Sequence, residues 1–174
     1  MKIPEEWLNR SKHKVNEIFE EVRNYCSLKA PLPIKSMIET YMEDVNYVVS
    51  MDYEFPEGVS AFSQKDMDIG WLIVINGKEI VERQRFSAAH EFGHITLLTN
   101  QAKKVFCSKD SDSWDEKLCD RFAGDILMPE IMIRELYKST PSPYLEDIAK
   151  IFKVSRPVAE IQLRRLQLPF KKRY

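Results

Sequence analysis

His90, Glu91 and His94 are the residues of this chain whose types and spacing could do chemistry together, in the run Ala89-His90-Glu91-Phe92-Gly93-His94. On a helix, residues four apart stand one turn above each other on the same face, so the two imidazoles could grip one metal ion. Glu91 lies beside them, placed to take a proton from a water activated by that metal. The box is short, so its surroundings matter. Phe86, Ala89, Phe92, Ile95 and Thr99 repeat at helical spacing, and Ile95, Leu97 and Leu98 follow His94. A helix with such a stripe has a face to bury, which sets the box against a core.

A catalytic zinc site usually takes three protein ligands and keeps one position open. The chain has three histidines, and the third, His13, falls far upstream in another helical pattern. A metzincin-type extension would need glycine and histidine where Leu97 and Asn100 stand. The third ligand is therefore expected to be a carboxylate or thiolate, with Cys107, Asp110, Asp112, Asp115 and Glu116 downstream as candidates. A helix is expected from about Asp115, its apolar side made by Leu118, Cys119, Phe122, Ile126 and Leu127, stopping near Met128 because Pro129 follows. Glu116 and Asp120 share one face of it. That arrangement suits Glu116 as the third ligand and Asp120 as the carboxylate that orients a ligating histidine through its other ring nitrogen.

Other elements must hold these helices. Residues 5–27 read as an amphipathic helix carrying Val15, Ile18, Phe19, Val22, Tyr25 and Cys26 on one side, broken by Pro31 and Pro33. A second helix carries Ile34, Met37, Ile38, Tyr41 and Met42. Tyr47–Met51 and Val59–Gln64 read as strands, and Ile69–Ile75 as a strand buried on both faces, closed by the turn signal Asn76-Gly77. The fold class expected is α+β, a small mostly antiparallel sheet packed against helices. One domain is expected over residues 1–174, with N-terminal helices in 1–43, the sheet and metal-binding helices in 44–129, and a helical segment in 130–174.

Three linked motifs carry a family resemblance: Arg85-Phe86-Ser87-Ala88-Ala89-His90-Glu91-Phe92-Gly93-His94, then Glu116-x-x-Cys119-Asp120-x-Phe122-Ala123, then Leu127-Met128-Pro129. In order and spacing they resemble the ImmA/IrrE zinc metallopeptidases, over roughly residues 30–168. Cys119 stands where that pattern has alanine, and Asp120 where it has asparagine. The resemblance implies a zincin-like fold with one zinc ion per chain, held by His90, His94 and Glu116, with Glu91 as general base. It also implies a dedicated substrate, a helix-turn-helix repressor of the XRE type whose hydrolysis derepresses genes of a mobile element or stress response. Larger relatives carry a further sensor domain, which is not expected in a chain ending at residue 174. The oxyanion-stabilising donor is not identified by sequence; Tyr137 and Tyr144 are candidates. A substrate strand is expected to add to an exposed sheet edge near Val59–Gln64.

Composition agrees with a globular chain, at 44% hydrophobic and 30% charged residues. No apolar run approaches the ~18–20 residues a membrane span needs, and Met1-Lys2-Ile3-Pro4-Glu5-Glu6 has no signal-like apolar core. Cys26, Cys107 and Cys119 show no paired spacing, so free thiols in a reducing cytoplasm are expected. Charge is unevenly spread. Residues 150–174 hold eight basic residues against Glu160 alone, a charge of +7, while the whole chain carries −1. Tyr144–Lys153 and Ser155–Leu166 read as a helix-turn-helix-like hairpin, with Ser155 as N-cap, Pro157 in the first turn and Arg156, Arg164 and Arg165 on the second helix. Two uses of it follow. A hairpin that packs on the catalytic core goes with a peptidase whose partner is a protein. Direct DNA contact goes with the alternative reading, a non-proteolytic, zinc-containing transcriptional regulator.

Overall fold

The computed structural model describes residues 2–98, 105–108 (as backbone) and 113–173. Its element order is α1 (Glu5–Val22), α2 (Ile34–Tyr41), β1 (Val45–Ser50), β2 (Val59–Asp66), β3 (Gly70–Asn76), α3 (Val81–Leu97), β4 (Val105–Ser108), α4 (Trp114–Leu127), α5 (Glu130–Ser139), α6 (Leu145–Phe152) and α7 (Arg156–Arg165). The four strands form one sheet in the order β1-β3-β2-β4. β1 runs parallel to β3, whereas β2 runs antiparallel to both β3 and β4. This is the expected α+β class with a mostly antiparallel sheet.

α3 lies at the centre. Every residue from Ser87 to Ile95 is buried, as is Leu97. The helix packs against β2 and β3 on one side and against α1, α2 and α4 elsewhere. Burial on nearly all sides explains why its sequence shows only a loose apolar stripe. α4 approaches it closely at Gly93. A Cβ there would stand 3.0 Å from Cδ1 of Phe122 and 3.4 Å from Cα of Cys119. Aromatic edges complete the contact: Phe92 meets Phe122 at 5.8 Å and Tyr41 of α2 at 5.6 Å between ring centroids.

α1 ends at Val22, short of the expected residue 27, and the chain turns there before Pro31. β3 is the inner strand that its apolar run predicts, with Ile73, Val74 and Ile75 buried. One expectation fails. Val59–Gln64 does not lie at an edge, because β2 is paired on both sides. The open edges belong to β1 and β4. A strand's neighbours are set by long-range pairing, which side-chain alternation within the strand does not encode.

The C-terminal hairpin packs on α4. Ser155 caps α7 by accepting a hydrogen bond from Val158 N at 3.4 Å. Lys153 takes the left-handed conformation (φ 53°) that closes α6, and Val154 N donates to Ala149 O at 3.0 Å. Buried Gln162 of α7 donates to Met128 O and to Asp125 Oδ1, both at 3.0 Å. It thereby satisfies a carbonyl at the end of α4 that has no partner within its own helix.

Candidate metal centre

The i, i+4 spacing on α3 brings Nε2 of His90 and Nε2 of His94 to 3.0 Å from each other. α4 supplies the third group. Glu116 Oε2 is 3.2 Å from His90 Nε2, and its Oε1 is 3.2 Å from His94 Nε2. One turn further along α4, Asp120 Oδ1 lies 2.8 Å from His90 Nδ1. With Nδ1 carrying the proton, His90 donates to Asp120 and turns the Nε2 lone pair toward His94 and Glu116. The four residues expected from sequence to act together thus meet across one helix–helix contact.

Electrostatics fit a cation at the point of convergence. In the metal-free chain burial opposes a charge on His90, but hydrogen bonds to Asp120 and Glu116 outweigh it and raise its pKa from 6.5 to about 9. Burial likewise opposes ionisation of Glu116, yet its bonds to both histidines bring its pKa from 4.5 down to about 2. Glu91 is fully buried, and among the described residues neither carboxylate oxygen has a hydrogen-bond partner. A carboxylate orphaned in this way is costly unless water or a positive charge stands next to it. Two imidazole nitrogens, one low-pKa carboxylate and an unpartnered buried base make a donor set suited to zinc.

Cys119 is the residue that sequence reasoning did not place in the site. By sequence it belongs to the apolar side of α4 and departs from the alanine of the family pattern. Its Sγ lies within 4.8 Å of a ligand nitrogen of each histidine, so His90, His94 and Cys119 form a second possible donor group. Glu116 also stands within reach of both histidines. It reaches both nitrogens at 3.2 Å. Burial and the nearby Glu116 and Glu91 push the Cys119 thiol well above its ordinary pKa.

The other candidates sort as follows. Asp115 sits in the first turn of α4, one residue before Glu116. Asp110, Asp112 and the Cys107 side chain lie outside the described residues. His13 is exposed on α1. Tyr137 donates its hydroxyl to Pro169 O at 2.9 Å, and Tyr144 lies under the Arg173 guanidinium at 4.7 Å. Both tyrosines are thus engaged with the C-terminal segment.

A paired-histidine helix set on a small mixed sheet, facing a carboxylate from the next long helix, defines the zincin-like class of metallopeptidase fold. The chain belongs to the IrrE N-terminal-like domain family of peptidases (M78), whose family profile matches residues 48–164. It is 34% identical over 94 residues to the radiation response metalloprotease IrrE of Deinococcus radiodurans, an alignment covering 45% of this chain and 29% of that protein. Among solved structures it is similar to a Mycobacterium tuberculosis transcriptional regulator, with a TM-score of 0.63 and 12% identity over 92% of this chain and 50% of the other. That second likeness is one of fold. The chain spans half or less of the length of these relatives. No helix among the described residues is long and apolar enough to cross a membrane.

Proposed function

We propose that the protein is a zinc-dependent endopeptidase with one zinc ion held by His90, His94 and Glu116. The observation that carries this reading is the convergence of those three side chains beside the buried, unpartnered carboxylate of Glu91. Zinc in such a site lowers the pKa of water and polarises a peptide carbonyl. Glu91 accepts the proton of the attacking water and returns it to the leaving amine. Neither oxygen is engaged by another of the described residues, which leaves both free to take that proton. Asp120 holds His90 in the tautomer that presents Nε2.

The substrate we propose is one regulatory protein, a helix-turn-helix repressor of the XRE type, whose cleavage derepresses mobile-element or stress-response genes. Family membership and the similarity to a radiation response metalloprotease support a regulatory peptidase. The non-proteolytic alternative has less support. A structural metal site has no use for a buried base, and the basic C-terminal segment is partly tied up in ion pairs, as described in the Discussion.

The test uses the wild-type chain and two variants. Purified wild-type protein should hold about one zinc per chain by atomic emission. Glu91→Gln should keep the metal and lose cleavage, and His90→Ala should lose both. The substrate arm incubates the protein with a panel of XRE-type helix-turn-helix repressors, with and without a chelator. Wild-type protein without metal would overturn the site assignment. Indiscriminate digestion of casein would overturn the dedicated substrate.

A further inference from the structure

We propose that the outer edge of β1 is a docking strand for a basic, extended segment of a partner protein. β1 is the end strand opposite β4, and among the described residues only β3 pairs with it. An end strand offers a row of backbone N–H and C=O groups that an incoming strand can complete. Edges of this kind are commonly blunted by lysine or proline within the strand. β1, Val-Asn-Tyr-Val-Val-Ser, has neither.

Two of its apolar side chains are uncovered. Val48 is 42% exposed and Val49 46%, and as neighbours in a strand they point to opposite faces. Met51, just past the strand, is 56% exposed and stands against Gly77 of the turn after β3. That turn leads to Ile80 and Val81, both exposed. Scattered exposed apolar residues need no explanation, but here they share one strand edge and the turn beside it.

Charge selects the occupant. Glu43 and Asp44 precede the strand and Asp52, Glu54 and Glu57 follow it, all exposed, and residues 43–58 include no lysine or arginine. Arg85 is an electrostatic neighbour of Tyr47, and Lys65 sits over the ring of Trp71, the register partner of Val45. Lys35 of α2 sits over the Tyr47 ring and pairs with Glu39 at 3.7 Å, and Lys78 lies in the turn after β3. Negative charge therefore dominates the leading end of the open edge, where Glu43 and Asp44 stand, while Asp52 and Lys78 balance at the trailing end. An incoming strand with alternating cationic and branched apolar residues meets all three features: backbone groups unpaired among the described residues, exposed valines and an acidic flank. The surface is on the far edge of the sheet from β4 and does not depend on the metal or on peptidase activity.

Backbone amide shifts of the full chain in solution test this. The labelled protein, in a Glu91→Gln background that prevents hydrolysis, is titrated with a capped peptide alternating lysine and valine, and separately with its glutamate–valine counterpart. Shift changes should cluster at residues 45–51 with the lysine peptide, weaken at high salt, and be absent with the glutamate peptide. The double variant Val48→Lys/Val49→Lys should weaken binding by about tenfold or more. The double variant Asp44→Lys/Asp52→Lys, with its substitutions outside the strand, should do the same without altering the apolar surface. Equal binding of the two peptides, shifts centred on another element, or no shifts would overturn the proposal. So would concentration-dependent shifts at residues 45–51 without peptide, which would mark the edge as a contact between copies of this chain.

Discussion

At the scale of single residues, the site couples protonation to metal binding. The raised pKa of His90 means that its contribution to stability in the metal-free chain is complete below 6.5 and is lost as pH rises through about 9. The lowered pKa of Glu116 works the other way. Its contribution is complete above 4.5 and is lost as pH falls through about 2. Zinc bound as proposed displaces the His90 proton, so its affinity should tighten roughly tenfold per pH unit from about 7 and level off near 9, as read by competition with a chelator dye. A flat profile would show that His90 is not a ligand. Asp120 acts on the metal only through His90. Asp120→Ala should weaken zinc binding roughly 10–100-fold, and Asp120→Asn, which keeps an acceptor for Nδ1–H, should recover most of that loss.

At the scale of elements, the close contact of α3 with α4 sets the reach from Glu116 to the histidines. Gly93 permits it, since a side chain there would meet Phe122 and Cys119. Gly93→Val would drive two methyl groups into that contact and force the helices apart. The expected result is a loss of about 1–3 kcal/mol in denaturant unfolding together with weaker zinc binding. A variant that lost stability but bound zinc with unchanged affinity would show that helix spacing does not control the site. Gln162 plays a similar supporting part from α7. Gln162→Leu would leave Met128 O without its side-chain donor in a buried setting, and should cost about 1–3 kcal/mol by the same measurement.

At the scale of the whole molecule, the uneven charge is partly neutralised internally. Arg156 pairs with Glu146 at 2.6 Å, Arg164 with Glu160 at 2.7 Å, Lys172 with Glu160 at 2.9 Å and Arg173 with Asp147 at 2.7 Å, while Arg165 pairs with Asp125 of α4. Exposed pairs of this kind add little stability, but each removes a cation from the field that a phosphate backbone would meet. Binding to duplex DNA, followed by fluorescence anisotropy at physiological salt, should be no tighter than the ~10⁻⁴–10⁻⁶ M of nonspecific binders. A nanomolar, sequence-selective site would instead move support to the non-proteolytic reading.

The sequence by itself determined what is local. Histidines four apart on α3, Glu116 and Asp120 four apart on α4, the Ser155 cap and the break before Pro129 all follow from helical periodicity and backbone rules that act over a few residues. The buried character of β3 was legible for the same reason, since an uninterrupted apolar run needs cover on both faces. Tertiary structure decided everything that depends on which elements meet. Strand order placed β2 inside the sheet and left β1 and β4 open, because pairing partners are chosen by long-range packing that alternation in one strand does not record. The approach of α4 at Gly93 brought Cys119 beside the histidines, although its spacing marked it only as an apolar position. Folding of α6 and α7 onto the body paired much of a basic tail that looked, in one dimension, like a free charged face. Charge and spacing along a chain name the groups available; only the distances between elements set which of them act on one another.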